Sequence, residues 1–228
     1  MKDLIIFDCD GVLVDSEVIG CQIDAQYITA LGYPITTENF IKKYAGMSDK
    51  TMAITLKKDT NIIIPEDYLE KRFALILEAF ETNLHPLMDP ILSQINTLNV
   101  DYCIASGSRR ERVIRSLEIT NQMKYFDKNS IFTAQQVEKG KPAPDLFLFA
   151  AKQKNSIPKN CIVIEDSCPG IQAAQAANMA VIGFLGGEHA KPKEYQDSIK
   201  AFNIPIAYNT ETLWVLIKEN LKQRENCD

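Results

Sequence analysis

Five short runs of the chain are apolar at nearly every position: Leu4 to Phe7, Tyr102 to Ala105, Cys161 to Ile164, Ala180 to Leu185 and Ile204 to Tyr208. A run without polar alternation has no solvent face, which predicts strands of a parallel sheet covered by helices on both sides. Between the runs, apolar residues recur every three or four positions, as in Ile91, Ile95, Leu98 and in Val113, Ile114, Leu117, with Trp214, Ile217, Leu221 closing the chain. That spacing predicts helices that bury one stripe. The alternation of the two patterns predicts a doubly wound, Rossmann-like α/β core.

One interval departs from the alternation. From about Asp15 to Pro86 no strand pattern occurs, while Ile19, Ile23, Tyr27, Leu31 and Leu69, Phe73, Leu77, Phe80 follow helical spacing. Two shorter helical pieces, around Phe40 and Met52, are separated by Gly46. A small helical domain over residues 15–86 is therefore expected, inserted after the first strand into a core made of residues 1–14 and 87–228.

Three of the apolar runs end on polar residues that are poor strand formers. Leu4 to Phe7 leads into Asp8 and Asp10, Tyr102 to Ala105 into Ser106, and Cys161 to Ile164 into Glu165 and Asp166. In an open parallel sheet the carboxyl ends of all strands point to one edge, where ligands bind. A fourth element, EKGKPAPD from Glu138 to Asp145, holds Lys141 ahead of Pro142 and Pro144, which stiffen its loop. Taken singly, each of these residues reads as a turn, a cap or a solvated surface charge. Together, four carboxylates at one edge repel by about 4 kcal/mol per close pair at an effective dielectric near 20. A bound divalent cation relieves this, and hard oxygen ligands favour magnesium. Metal, lysine, hydroxyl and an attacking carboxylate are the parts for phosphoryl transfer.

Bulk properties narrow the alternatives. A formal net charge of −5 over 228 residues gives no electrostatic footprint for nucleic acid or an anionic membrane. The six cysteines form no CxxC pair and fit a reduced, cytoplasmic setting, while His85 and His189 lie near no cysteine pair, against a zinc site. The start MKDLIIFDCD meets acid too early for a signal peptide, and no apolar stretch approaches the roughly 20 residues that span a bilayer. A soluble protein acting on a small metabolite is expected, with a monomer favoured.

DCDGVLVDSE, ASGS from Ala105 to Ser108, GKPAPD, and VIEDSCPGIQAA from Val163 to Ala174 occur in the order and contexts of four motifs of the haloacid dehalogenase superfamily. Over nearly its whole length the chain resembles that family's beta-phosphoglucomutase-like sugar phosphatases, whose helical cap follows the first strand. The resemblance implies that Asp8 is the nucleophile, forming an aspartyl phosphate, and that Asp10 is the acid and then the base. It implies that Gly11 lets the backbone turn, that Ser106 binds phosphoryl oxygens, and that Lys141 neutralises charge. Asp8, Asp166 and the main-chain carbonyl of Asp10 would hold Mg2+, with Glu165 helping directly or through water. Gly107, Ser108 and Arg109, with Gly46 and Ser48 of the cap loop, would contact the substrate, Arg109 gripping a second anionic group or else pairing with Glu111.

The implied activity is a magnesium-dependent phosphatase for a sugar phosphate or sugar-acid phosphate. A phosphomutase of the same subgroup is the alternative, opposed by Gly20 and Asp49 where those mutases carry a histidine and an arginine. A dehalogenase is opposed by Asp10. A receiver-type signalling module also gathers acids, a hydroxyl and a lysine, but carries no helical insertion after its first strand.

Overall fold

The computed structural model describes residues 2–45, 47 and 49–225, the side chains of 49, 50 and 225 excepted. Six parallel strands form one sheet in the order β3-β2-β1-β4-β5-β6: β1 (Leu4–Phe7), β2 (Asp101–Ser106), β3 (Ile131–Thr133), β4 (Cys161–Glu165), β5 (Ala180–Phe184) and β6 (Ile206–Ala207). The chain runs outward from β1 through β2 to β3, then returns to place β4 on the other side of β1. The β1/β4 boundary is thus the switch point of the sheet, where crevices open in doubly wound folds.

Strand β1 shows why its run is continuously apolar. Ile5 and Phe7 face one buried cluster, with α5 (Asp89–Ile95), α6 (Arg110–Ile119) and α10 (Thr210–Glu225). Leu4 and Ile6 face the other, with α7 (Asp145–Gln153), α8 (Cys168–Ala176) and α9 (Lys193–Lys200). All four are fully buried. The α/β expectation holds.

Two details differ from the pattern. Strand β3 was not expected: three residues between polar turns are too short to show a period. The last run forms a strand only at Ile206 and Ala207. Pro205 has no N–H to give, although its carbonyl accepts from Gly183 N at 2.8 Å.

Between β1 and α5 the described residues form four helices, α1 (Glu17–Ala30), α2 (Thr37–Tyr44), α3 (Asp49–Thr60) and α4 (Tyr68–Asn83). Cys21, Ile28, Phe40, Tyr44 and Leu56 form an apolar cluster of their own, while Ile76 and Phe80 of α4 join the sheet's cluster. The segments entering and leaving are tied side by side, Asp15 N to His85 O and Leu87 N to Leu13 O, each at 2.9 Å. The expected helical stripes are rotated. Leu31 and Leu69 are exposed, whereas Asp24 and Tyr68 are buried. Asp24 accepts from Arg72 Nε and Nη2 at 2.7 and 2.9 Å and from the Tyr68 hydroxyl, so a polar knot occupies positions that spacing alone assigns to apolar residues.

Candidate active site

The ladder of β1 continues one residue past the strand, Asp8 N donating to Ile164 O at 3.0 Å. The chain then turns tightly: Leu13 N reaches Cys9 O at 2.9 Å, and Gly11 adopts φ +76°. Only glycine fits there. A Cβ on Gly11 would lie 2.2 Å from Asp166 Oδ2 and 2.8 Å from His189 Cε1, so the turn passes directly under the end of β4. Asp8, Asp10, Ser106, Glu165 and Asp166 are all buried.

Asp8, Glu165 and Asp166 each bring a carboxylate oxygen within 4.8 Å of the others. Lys141 Nζ, from the loop before α7, donates to Asp8 Oδ1 at 2.6 Å, Glu165 Oε1 at 2.7 Å and Ala105 O at 2.9 Å. Glu165 Oε2 is held by Ser167 N and Oγ, both at 2.9 Å. Burial raises the Asp8 carboxyl well above its usual range; Lys141 opposes this, and the neighbouring carboxylates reinforce it. Burial also lifts Asp166 to about 7, against the pull of His189. For Lys141 burial acts downward, but Asp8 and Glu165 outweigh it and hold the ammonium protonated. One lysine therefore leaves the acids short of positive charge, and a hard divalent cation fits this donor set.

His189 is fully buried, its Nε2 2.7 Å from Asp166 Oδ2 in an ion-pair contact whose N–H is not aligned as a hydrogen bond. Tyr195 donates its hydroxyl to Asp166 O at 3.3 Å.

Asp10 has different company. Its Oδ1 accepts from Ser16 Oγ and Arg112 Nη2, and its Oδ2 from Ser108 Oγ, all at 2.6 Å. Burial alone would raise this carboxyl, yet Arg112 and the two serines hold it below its usual value. Two aspartates two residues apart thus differ in kind: one belongs to the acidic cluster with the lysine, the other to a cage of hydroxyls and guanidinium.

The model of the haloacid dehalogenase-like hydrolase family matches residues 5–184. The chain belongs to that family. A haloacid dehalogenase-like protein of unknown function from Agrobacterium tumefaciens superposes with a TM-score of 0.85 at 33% identity, covering 96% of this chain and 99% of that one. A hydrolase of the family from Deinococcus radiodurans, solved with bound phosphate and sodium, gives a TM-score of 0.77 at 25% identity, covering 96% of each chain. The 6-phosphogluconate phosphatase of Escherichia coli is 26% identical over 191 residues, 83% of this chain and 86% of that protein. The expectation of a phosphoric monoester hydrolase agrees with these relatives.

In this hydrolase the expected residues fall as follows. Asp8, Lys141, Glu165 and Asp166 meet at one point, and Asp10 with Ser108 beside it. Ser106 ends β2, its Oγ accepting from Ser108 N at 3.0 Å. Gly107 is exposed with open space around it. Arg109 pairs with Glu70 of α4, not with Glu111, and lies 4.8 Å from the Phe73 ring centre. Gly46 and Ser48 lie outside the described residues. Ser16, Arg112 and His189 were not expected. Arg112 lies in the first turn of α6 and Ser108 in the loop before it, so no helical spacing relates the two in the sequence. No local pattern marks His189.

The five described cysteines are free. No helix among the described residues is long and apolar enough to cross a membrane. A cavity of about 690 Å³ lined by Lys2, Lys218 and Lys222 contains none of the site residues.

Proposed function

We propose that this chain is a Mg2+-dependent phosphatase for a small sugar phosphate or sugar-acid phosphate, working through a phosphorylated Asp8. The carrying observation is the separation of the two aspartates into a lysine-bound acidic cluster and a hydrogen-bonded cage. Asp8 Oδ attacks phosphorus as the bond to the alcohol oxygen breaks, and Asp10, held ionised by Arg112 and its serines in the free protein, takes up a proton from solvent on substrate binding and delivers it to that oxygen. Asp10, now a carboxylate, takes a proton from water, the hydroxide attacks the phosphorus, and the bond to Asp8 breaks to give inorganic phosphate. Lys141 neutralises charge on Asp8 and on the phosphoryl oxygens, and Ser106 hydrogen-bonds to the latter. Asp8, Asp166 and the main-chain carbonyl of Asp10 would hold Mg2+, with Glu165 helping directly or through water, and the bound cation would supply the positive charge that lets an anionic nucleophile meet a phosphate. Residues 15–86 act as the cap that excludes bulk water, and its loop around Gly46 and Ser48 contributes to substrate choice.

The relative named for 6-phosphogluconate supports the sugar-acid class. The reading is tested by a phosphate-release screen over sugar phosphates, sugar-acid phosphates and nucleoside monophosphates, with and without Mg2+, using Asp8→Asn as control. Release that needs Mg2+ and falls more than about 100-fold in Asp8→Asn is expected, since a nucleophile contributes more than a general acid. Absence of release from every compound, or an active Asp8→Asn, would refute it. Transfer of phosphate within the sugar without release would favour the mutase.

A further inference from the structure

Arg112 sits beside the group assigned to the leaving oxygen. Its Nη2 donates to Asp10 Oδ1 at 2.6 Å, its guanidinium carbon lies 5.4 Å from the ring centre of Phe80, and its side chain is only 11% exposed. Its Nε is buried and has no hydrogen-bond partner. A buried donor left unmet is a standing cost, and arginine can only donate.

The identity of the unmet atom is informative. Nε and Nη2 form the edge of the guanidinium that grips both oxygens of a carboxylate. Arg72 uses that edge in full on Asp24, at 2.7 and 2.9 Å. In Arg112 only its Nη2 half is engaged. Arg109, the expected reader of a second anion, is meanwhile paired with Glu70 of α4.

We infer that Arg112 is a specificity residue that binds a carboxylate carried by the leaving alcohol, so that the preferred substrate is the phosphate monoester of a hydroxy acid. Turning the fork from Asp10 onto an entering carboxylate engages both N–H groups at once and leaves Asp10 to its serines and the leaving oxygen. This rests on the phosphatase reading above and narrows its substrate class.

The test uses two matched pairs that differ only in a carboxylate against a hydroxymethyl: 6-phosphogluconate with glucitol 6-phosphate, and 3-phosphoglycerate with glycerol 3-phosphate. The unmodified protein should prefer the acid in at least one pair. Arg112→Met, which keeps an apolar stem beside Phe80, removes the Asp10 contact for both compounds alike, but should in addition lower the acid-to-neutral ratio of kcat/KM by about 10- to 100-fold, the effect of losing a charge-assisted hydrogen bond to the carboxylate. Arg112→Lys should lose less, because it keeps the charge without the fork, and it decides the matter if Arg112→Met does not fold. Equal losses on acid and neutral compounds, or no acid preference in the unmodified protein, would overturn the inference. Calorimetric titration of Asp8→Asn, with and without Arg112→Met, reads the acid-to-neutral binding ratio without turnover. Failure of phosphate release would therefore refute the phosphatase reading, whereas this ratio judges Arg112 by itself.

Discussion

Gly170 is a glycine in a helix whose replacement by alanine should destabilise the protein, against the usual direction. It is the third residue of α8, where alanine would gain up to about 1 kcal/mol by helix propensity. However, a Cβ there would lie 1.8 Å from Glu165 Oε1 and 1.9 Å from its Cδ. To restore van der Waals distance the carboxylate must retreat by about 1.5 to 2 Å. Glu165 is fully buried, and its oxygens are bound by Lys141 at 2.7 Å and by Ser167 N and Oγ at 2.9 Å. Losing the lysine contact and one serine contact, at about 1.5 to 3 kcal/mol each for bonds to a charged group, costs about 3 to 6 kcal/mol. Net of the helix gain, Gly170→Ala should cost about 2 to 5 kcal/mol in urea denaturation. Activity should fall with it, since Lys141 loses one of its two anchoring carboxylates. In a Glu165→Ala background the obstacle is gone, and the same change should be neutral or stabilise by up to about 1 kcal/mol. A Gly170→Ala protein as stable as the unmodified one would refute the reasoning, as would a penalty that persists after Glu165 is removed.

Asp24→Ala should cost about 3 to 5 kcal/mol in denaturant melts, because it removes the buried carboxylate that both the largely buried Arg72 and the Tyr68 hydroxyl donate to; a loss under about 1 kcal/mol would contradict a structural role for the knot. Asp166→Ala should weaken Mg2+ binding in calorimetry together with turnover, and full activity in excess chelator with no retained metal would remove the metal from the mechanism. Burial holds Asp8, Asp15, Glu17 and Asp166 above their usual values, while the Asp166 contact raises His189 against the opposing effect of burial. Each keeps in the folded state a proton that the unfolded chain releases earlier, so metal-free protein should lose stability as pH rises from about 4 through 7. Saturating Mg2+, which binds the ionised carboxylates, should flatten or reverse that slope, and urea melts across pH 5 to 8 showing a steady rise in chelator would contradict it.

The α/β core was legible because burial on both faces removes polar alternation from a strand, as the complete burial of Leu4, Ile5, Ile6 and Phe7 shows. The clustering of Asp8, Glu165, Asp166 and Lys141 was legible one step further, since parallel strands must deliver their ends to one edge whatever their order. Strand β3 escaped because three residues carry no period, and the buried faces of α1 and α4 escaped because a paired Asp24 and a buried Tyr68 take core positions. Only the tertiary structure decided that Arg112 and Ser16 cage Asp10, that Arg109 pairs with Glu70, and that His189 reaches Asp166. Local spacing determines which side of its own element a residue occupies. Which residues then meet across elements follows from strand order and from how each helix is rotated onto the sheet, and packing of the whole core sets both.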